Sequence, residues 1–155
     1  MFLKRLELSG FKSFPAKTVL EFPFGVIAIV GPNGSGKSNI ADALRWVLGE
    51  QSMLKLRSKK GEDLIFNGTA SKARLGKGEV VLVFDNKDKI LPFEFDEVFI
   101  SRKVYRDGIN QYFINNSEVR LKDVAEMIAK AKLGLKGYTI VNQGMGDLIL
   151  NSTPL

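Results

Sequence analysis

Apolar and polar positions alternate in short registers along most of this chain, and the period lengthens to that of a helix in two places. Leu3, Leu6 and Leu8 stand among Lys4, Arg5 and Glu7, the pattern of a half-buried strand ending at Gly10. Residues 17–22 alternate loosely between Pro15 and Pro23 and predict a second strand. Val26-Ile27-Ala28-Ile29-Val30 is apolar throughout, the signature of a buried strand. From about Lys37, the residues Ile40, Ala43, Leu44, Val47 and Leu48 share one helical face, and Gly49 supplies a stop. A polar, basic stretch follows from Glu50 to Gly61, then the apolar patch Leu64-Ile65-Phe66 and a basic loop carrying Lys72, Arg74 and Lys77. Strand patterns then dominate: 80–84, the alternation of Phe93 and Phe95 with Glu94 and Asp96, and 98–104, where Val98, Ile100 and Val104 share a face with Arg102. Residues 111–114 make another strand between the turn dipeptides Asp107-Gly108 and Asn115-Asn116. Residues 122–132 return to helical spacing, with Val124, Ile128 and Ala131 on one face, and 138–141 predict a last strand before Gln143-Gly144. The expectation is an α/β fold with a parallel or mixed core sheet and an antiparallel β lobe, in one domain over residues 1–155.

Composition narrows the chemistry. The chain has no cysteine and no histidine, so disulfides, thiolate metal sites and the usual general base are all excluded. No apolar run approaches the ~18 residues of a membrane span, and charge interrupts the first apolar stretch, so neither a span nor a signal peptide is expected. A cytoplasmic protein is the expectation. The net charge of +6 suits a polyanionic partner, although a solvated lysine-rich surface explains it equally well.

The decisive stretch joins the apolar run to the first helix: Gly31-Pro32-Asn33-Gly34-Ser35-Gly36-Lys37-Ser38, followed by Asn39. Two glycines, then lysine and serine, between a strand and a helix, form a phosphate-binding loop. Gly31, Gly34 and Gly36 are expected to supply positive φ and room for close approach of a phosphate. Successive N–H groups form a nest at the positive end of the helix. Lys37 then reaches the β- and γ-phosphates, and the Ser38 hydroxyl ligates Mg²⁺. The cofactors implied are ATP and Mg²⁺.

Three segments imitate other ATPase motifs without their context. Residues 80–85 have the form of an apolar strand ending in a metal-binding aspartate, yet Asp85 is followed by Asn86-Lys87 with no adjacent glutamate. Asp96-Glu97 pairs carboxylates, but Pro92 and Glu94 interrupt the buried strand that pair needs. Leu8-Ser9-Gly10 closes a strand and so cannot open a helix onto a γ-phosphate. A complete phosphate cradle is present and no general base is, so none of these residues is expected to be catalytic.

Leu8-Ser9-Gly10-Phe11-Lys12-Ser13-Phe14, the phosphate loop, Ala43-Leu44-Arg45-Trp46-Val47-Leu48-Gly49-Glu50-Gln51, Leu56-Arg57, Asp63-Leu64-Ile65-Phe66-Asn67-Gly68, Ile114-Asn115-Asn116, Arg120-Leu121-Lys122-Asp123 and Gln143-Gly144 occur in that order. This ordered set resembles the N-terminal half of the ATPase head of the SMC (structural maintenance of chromosomes) family, of the ABC-type superfamily. The resemblance implies that Gln143 completes the Mg²⁺ shell with Ser38 and that Arg57 reaches the nucleotide and couples it to DNA. It implies that Lys12 and Ser13 line the nucleotide pocket and that Asp63 and Leu64 flank the adenine. Lys60, Arg120 and Lys122 match positions that present charge to the backbone of double-stranded DNA, without sequence preference. A solvated edge is the alternative for those three. The chain stops at Thr153-Pro154-Leu155 before any heptad begins, so the resemblance implies half of a split head, natural or engineered. Its expected partners are a C-terminal lobe completing the head, a second head joined across ATP, a kleisin-type subunit and DNA, but no membrane. The expected role is chromosome condensation and segregation at the nucleoid. A double-strand-break repair ATPase of the same superfamily is the nearer alternative, and a small-molecule phosphotransferase the more distant one.

Overall fold

A computed structural model describes residues 1–130. Six strands form one sheet: β1 Phe2–Ser9, β2 Thr18–Glu21, β3 Lys77–Asp85, β4 Glu97–Tyr105, β5 Asn110–Ile114 and β6 Ser117–Val119. Their order is β2-β1-β3-β4-β5-β6, and every ladder is antiparallel. Two α-helices, α1 Lys37–Val47 and α2 Leu121–Lys130, and one 3₁₀ turn, Gly61–Leu64, complete the described elements.

Register explains the core. Leu6 stands opposite Leu82, Leu82 opposite Ile100, and Ile100 opposite Ile114, so one row crosses four strands. The next row runs Leu8, Val80, Arg102, Tyr112. All eight side chains are buried, and α1 packs on β3 and β4. Because side chains alternate between the two faces of a strand, burying Ile100 and Val104 carries Arg102 inside with them. Each fully buried Leu, Ile or Val in these rows contributes about 1.5–3 kcal/mol relative to exposure.

The helical face of α1 is wider than its aliphatic spacing predicts. Ile40, Ala43, Val47 and Leu48 are buried as expected, but so are Trp46 and Asp42, while Leu44 is only partly covered. Arg102 accounts for Trp46. Its guanidinium lies 4.7 Å from the Trp46 ring centroid and 4.6 Å from that of Tyr112. It donates to the Trp46 carbonyl at 2.8 Å and the Glu50 carbonyl at 2.9 Å, at and just beyond the end of α1, where carbonyls lack their intrahelical partners. Burial pushes Arg102 down to about 10, so it stays charged at neutral pH. Gly49 adopts φ 107 and Glu50 N–H returns to the Arg45 carbonyl at 3.0 Å, the expected left-handed stop.

The turn dipeptides do what their residues predict. Asn115 and Asn116 take φ 47 and 66 between β5 and β6, and Gly108 takes φ 90 between β4 and β5. Segment 86–96 departs from the expected alternating strand at Phe93 and Phe95. It is a loop folded around the fully buried Asn86, whose amide donates to the Leu91, Phe93 and Phe95 carbonyls and accepts from Leu91 N–H at 2.8 Å. Local pairing to one amide outcompetes a ladder there.

The largest departure is the apolar run 26–30. It pairs with no strand among the described residues, and Val26 and Val30 are almost wholly exposed. The parallel or mixed core sheet is therefore not formed among the described residues. A buried strand needs hydrogen-bonded neighbours on both sides, and the six described strands are all committed to the antiparallel sheet. The predicted strand 138–141 lies outside the described residues.

Candidate nucleotide site

The phosphate loop runs from Gly31 into the first turn of α1. Gly34 and Gly36 take φ 80 and 93, the left-handed conformations expected of them. Gly31 differs. Its φ is not left-handed, and a Cβ there would meet only the rotatable Ser35 Oγ, at 2.9 Å, so neither torsion nor backbone crowding accounts for a glycine at this position. Gly36 caps α1 without a side-chain hydrogen bond. The Lys37 ammonium donates to the Gly31 and Pro32 carbonyls and so lies across the mouth of the loop. Ser35 and Ser38 are exposed beside it.

Five of the sequence-predicted residues meet in a neighbouring cavity of about 780 Å³: Lys12, Ser13, Asn39, Arg57 and Asp63. Asn39 joins this cavity to the loop, since it follows Ser38 on α1 and its amide donates to Ser13 Oγ at 2.8 Å. Ser13 in turn lies against the loop, where a Cβ on Gly36 would be 3.1 Å from its hydroxyl. Ile65, Phe66, Asn67, Gly68 and Thr69 also line it. This gives a half-apolar slot beside a cationic rim, the character a nucleoside and its phosphates require.

Asp63 lines the cavity, but its carboxylate is engaged locally. It accepts N–H bonds from Lys59 at 2.9 Å and Lys60 at 3.0 Å, and these bonds hold it below the usual carboxylate range, that of Lys60 contributing most. Lys60 is exposed and paired with Glu62, and Arg120 is exposed and paired with Asp123 at 3.4 Å. Lys122 is exposed in the first turn of α2. Gln143 lies outside the described residues.

One residue at the site carries no recognisable sequence motif. Asp42 is 1% exposed, and its carboxylate gathers Lys12 Nζ at 2.6 Å and Arg57 Nη2 at 2.6 Å, with Arg45 4.0 Å away. The available signal was its place: one helical turn after Ser38, on the face that otherwise buries Ala43 and Val47. The imitated motifs behave as their context predicts. Asp85 ends β3 and accepts from Lys87 N–H, Asp96 is exposed and paired with Lys89, and Ser9 ends β1.

A family model described as "RecF/RecN/SMC N terminal domain" matches residues 2–136. The chain belongs to this family. Within it, the chain is 53% identical over 154 residues to the chromosome partition protein Smc of Mycobacterium leprae and 51% identical over 152 residues to that of Bacillus subtilis. These matches cover 99% and 98% of this chain but 13% of each relative, so the chain spans about an eighth of the length of the curated Smc proteins it matches. Among solved structures, an SMC head bound to the C-terminal winged-helix domain of ScpA matches with TM-score 0.94 at 39% identity, covering 100% of this chain and 48% of that one. A structure from work on ATP-driven dimerization and DNA-stimulated activation of SMC ATPases matches with TM-score 0.92 at 37% identity, covering 99% and 93%. The SMC head domain from Thermotoga maritima matches with TM-score 0.81 at 42% identity, covering 99% and 52%. The fold is accordingly that of an SMC-head, ABC-type phosphate-loop lobe. The recombination mediator RecF, at 23% identity and TM-score 0.61, shares the fold.

Proposed function

We propose that this chain is the ATP-binding lobe of a chromosome-partitioning SMC ATPase. The observation that carries this reading is the join between loop and cavity: Asn39, immediately after Ser38, reaches Ser13 on the cavity wall, so phosphates and nucleoside have adjoining places. The residues fit the group. Left-handed Gly34 and Gly36, an uncapped N-terminus on α1 and a lysine at the mouth together form a cradle for polyphosphate. Ser38, with Gln143, would hold Mg²⁺. Bound ATP–Mg²⁺ supplies the phosphoanhydride bond to be cleaved and a divalent charge against its phosphates.

The chain's own residues bind and orient. Lys37 exchanges the two loop carbonyls for phosphate oxygens, Lys12 and Arg57 place positive charge on the cavity rim, and the 65–69 wall covers the base. Phosphoryl transfer to water further needs a group that orients the water. Asp85 and Asp96 belong to the β lobe, and that group belongs to a C-terminal lobe. The same lobe would pair with the run 26–30 and cover Phe24, Val26 and Val30. In this reading two completed heads close across ATP, a kleisin-type subunit joins them, double-stranded DNA runs over Lys60, Arg120 and Lys122, and the assembly works at the nucleoid.

The test is reconstitution. Residues 1–155 alone should release no phosphate above a Lys37→Ala control, and turnover stimulated by DNA should appear on co-expression with the C-terminal lobe. In that two-lobed protein, Lys37→Ala should abolish ATP binding by calorimetry. Unchanged affinity in this variant, or turnover by residues 1–155 that Asp85→Asn abolishes, would overturn the reading.

A further inference from the structure

Two non-glycine residues beside the nucleotide cavity have left-handed backbones, Lys12 at φ 46 and Arg57 at φ 51. Such conformations cost energy and persist where surrounding contacts over-determine them. Both side chains end on the same group. The Asp42 carboxylate receives Lys12 Nζ at 2.6 Å and takes Arg57 by one edge, with Nε at 3.1 Å and Nη2 at 2.6 Å from Oδ2. Asn39, one turn earlier on α1, accepts from the same Nη2 at 3.1 Å. Lys12 also donates to the Leu56 carbonyl, next to Arg57 in the chain. Asp42 is buried, whereas the Arg57 side chain is 51% exposed. The fixed partner is therefore the helix and the adjustable one is the arginine. Among the described residues no hydrogen bond uses Arg57 Nη1, and the guanidinium stands on the cavity wall.

We propose that Asp42 is a positioning residue that fixes Arg57 and Lys12 to the helix opened by the phosphate loop. The planar fork suits this task, because a carboxylate can hold one edge while the remaining donor is left for a ligand. Asp42 is not among the residues that line the cavity. It makes the placement of segment 52–58, which carries Arg57, depend on α1, so any movement of the helix on nucleotide binding is passed to that segment. This rests on the reading of Arg57 as the residue coupling nucleotide to DNA.

The experiment uses the two-lobed protein with Asp42→Asn, Arg57→Ala, the double variant and Asp42→Glu. DNA-stimulated turnover is measured as a ratio to turnover without DNA, and hydrogen exchange is followed in the peptide spanning 52–60. Arg57→Ala should lower the stimulation ratio about fivefold or more, the size of a typical coupling between sites. Asp42→Asn should match it, the double variant should be no worse than either, and Asp42→Glu should recover part of the loss. Amides of 52–60 should exchange faster in Asp42→Asn while those of the β3–β4 ladder do not. Losses that multiply in the double variant, or unchanged exchange at 52–60, overturn the proposal by itself. Full stimulation in Arg57→Ala with faster exchange in Asp42→Asn overturns it through the coupling role it rests on, and the Lys37→Ala binding control separates both outcomes from a failure of nucleotide binding.

Discussion

Replacing Arg102 by methionine keeps the stem and removes the guanidinium that joins β4 to the end of α1. The bonds to Asn110 Oδ1 at 3.0 Å and Gln51 Oε1 at 3.5 Å are lost, and with them the two that hold the helix end, to Trp46 O at 2.8 Å and Glu50 O at 2.9 Å. Each of these last two contributes about 1.5–3 kcal/mol. The two ring contacts, at 4.7 and 4.6 Å, add about 1 kcal/mol each in a buried setting. Against this, neither carbonyl is orphaned, since Trp46 O keeps the Gly49 N–H at 3.1 Å and Glu50 O keeps the Gln51 side chain at 3.3 Å. The loss should therefore fall near the lower end, about 5 kcal/mol, of which the helix-end hydrogen bonds carry about 3. Arg102→Lys should recover less than half, because a compact ammonium cannot stack on Trp46 and Tyr112 and span both carbonyls at once. Chemical unfolding of the two-lobed protein measures the total, and hydrogen exchange at the amides of Leu48, Gly49 and Glu50 localises it. A destabilisation below about 1 kcal/mol, with those amides as protected as in the parent, would show that the helix end holds without its staple.

Two further outcomes follow from the surface charges. Changing Lys60, Arg120 and Lys122 to glutamate should weaken duplex binding alike across sequences and flatten its salt dependence, since phosphate contacts release counterions. A salt slope equal to the parent's would mean that these cations serve only Glu62 and Asp123. Asp123 accepts the Arg120 N–H at the start of α2, a bond that, with the Arg120 side chain, holds it below its usual 3.8. A carboxylate depressed by folding stabilises the native state above its unfolded value and loses that stabilisation as pH falls through the folded one. Parent and Asp123→Asn should therefore differ in stability at neutral pH, and the gap should begin to narrow below about pH 3.8 and close once pH has fallen through the depressed folded value. A gap that persists at the lowest pH reached would assign the effect to something other than ionisation.

Local chemistry settled what is local. A glycine-lysine-serine loop ahead of a helical period can form a phosphate nest wherever the rest of the chain goes, and Gly34 and Gly36 take the conformations their lack of a Cβ allows. Asparagine and glycine pairs fixed the hairpin turns, and the alternation of Val98, Ile100 and Val104 fixed which face of β4 is buried, Arg102 included. Register across four strands then decided what Arg102 would meet, and only the packed α1 supplies Trp46 and two helix-end carbonyls. The run 26–30 shows the opposite limit: its composition demands a buried strand, but a strand exists only where neighbours bond to it, and none of the described strands does. Asp42 shows the same limit at the site. Lys12 and Arg57 lie 45 positions apart in the chain, and no spacing rule announces that both turn through left-handed backbones onto one carboxylate. Propensity and motif are short-range properties of the chain, whereas a buried charge is tolerable only when distant segments bring its partners to it.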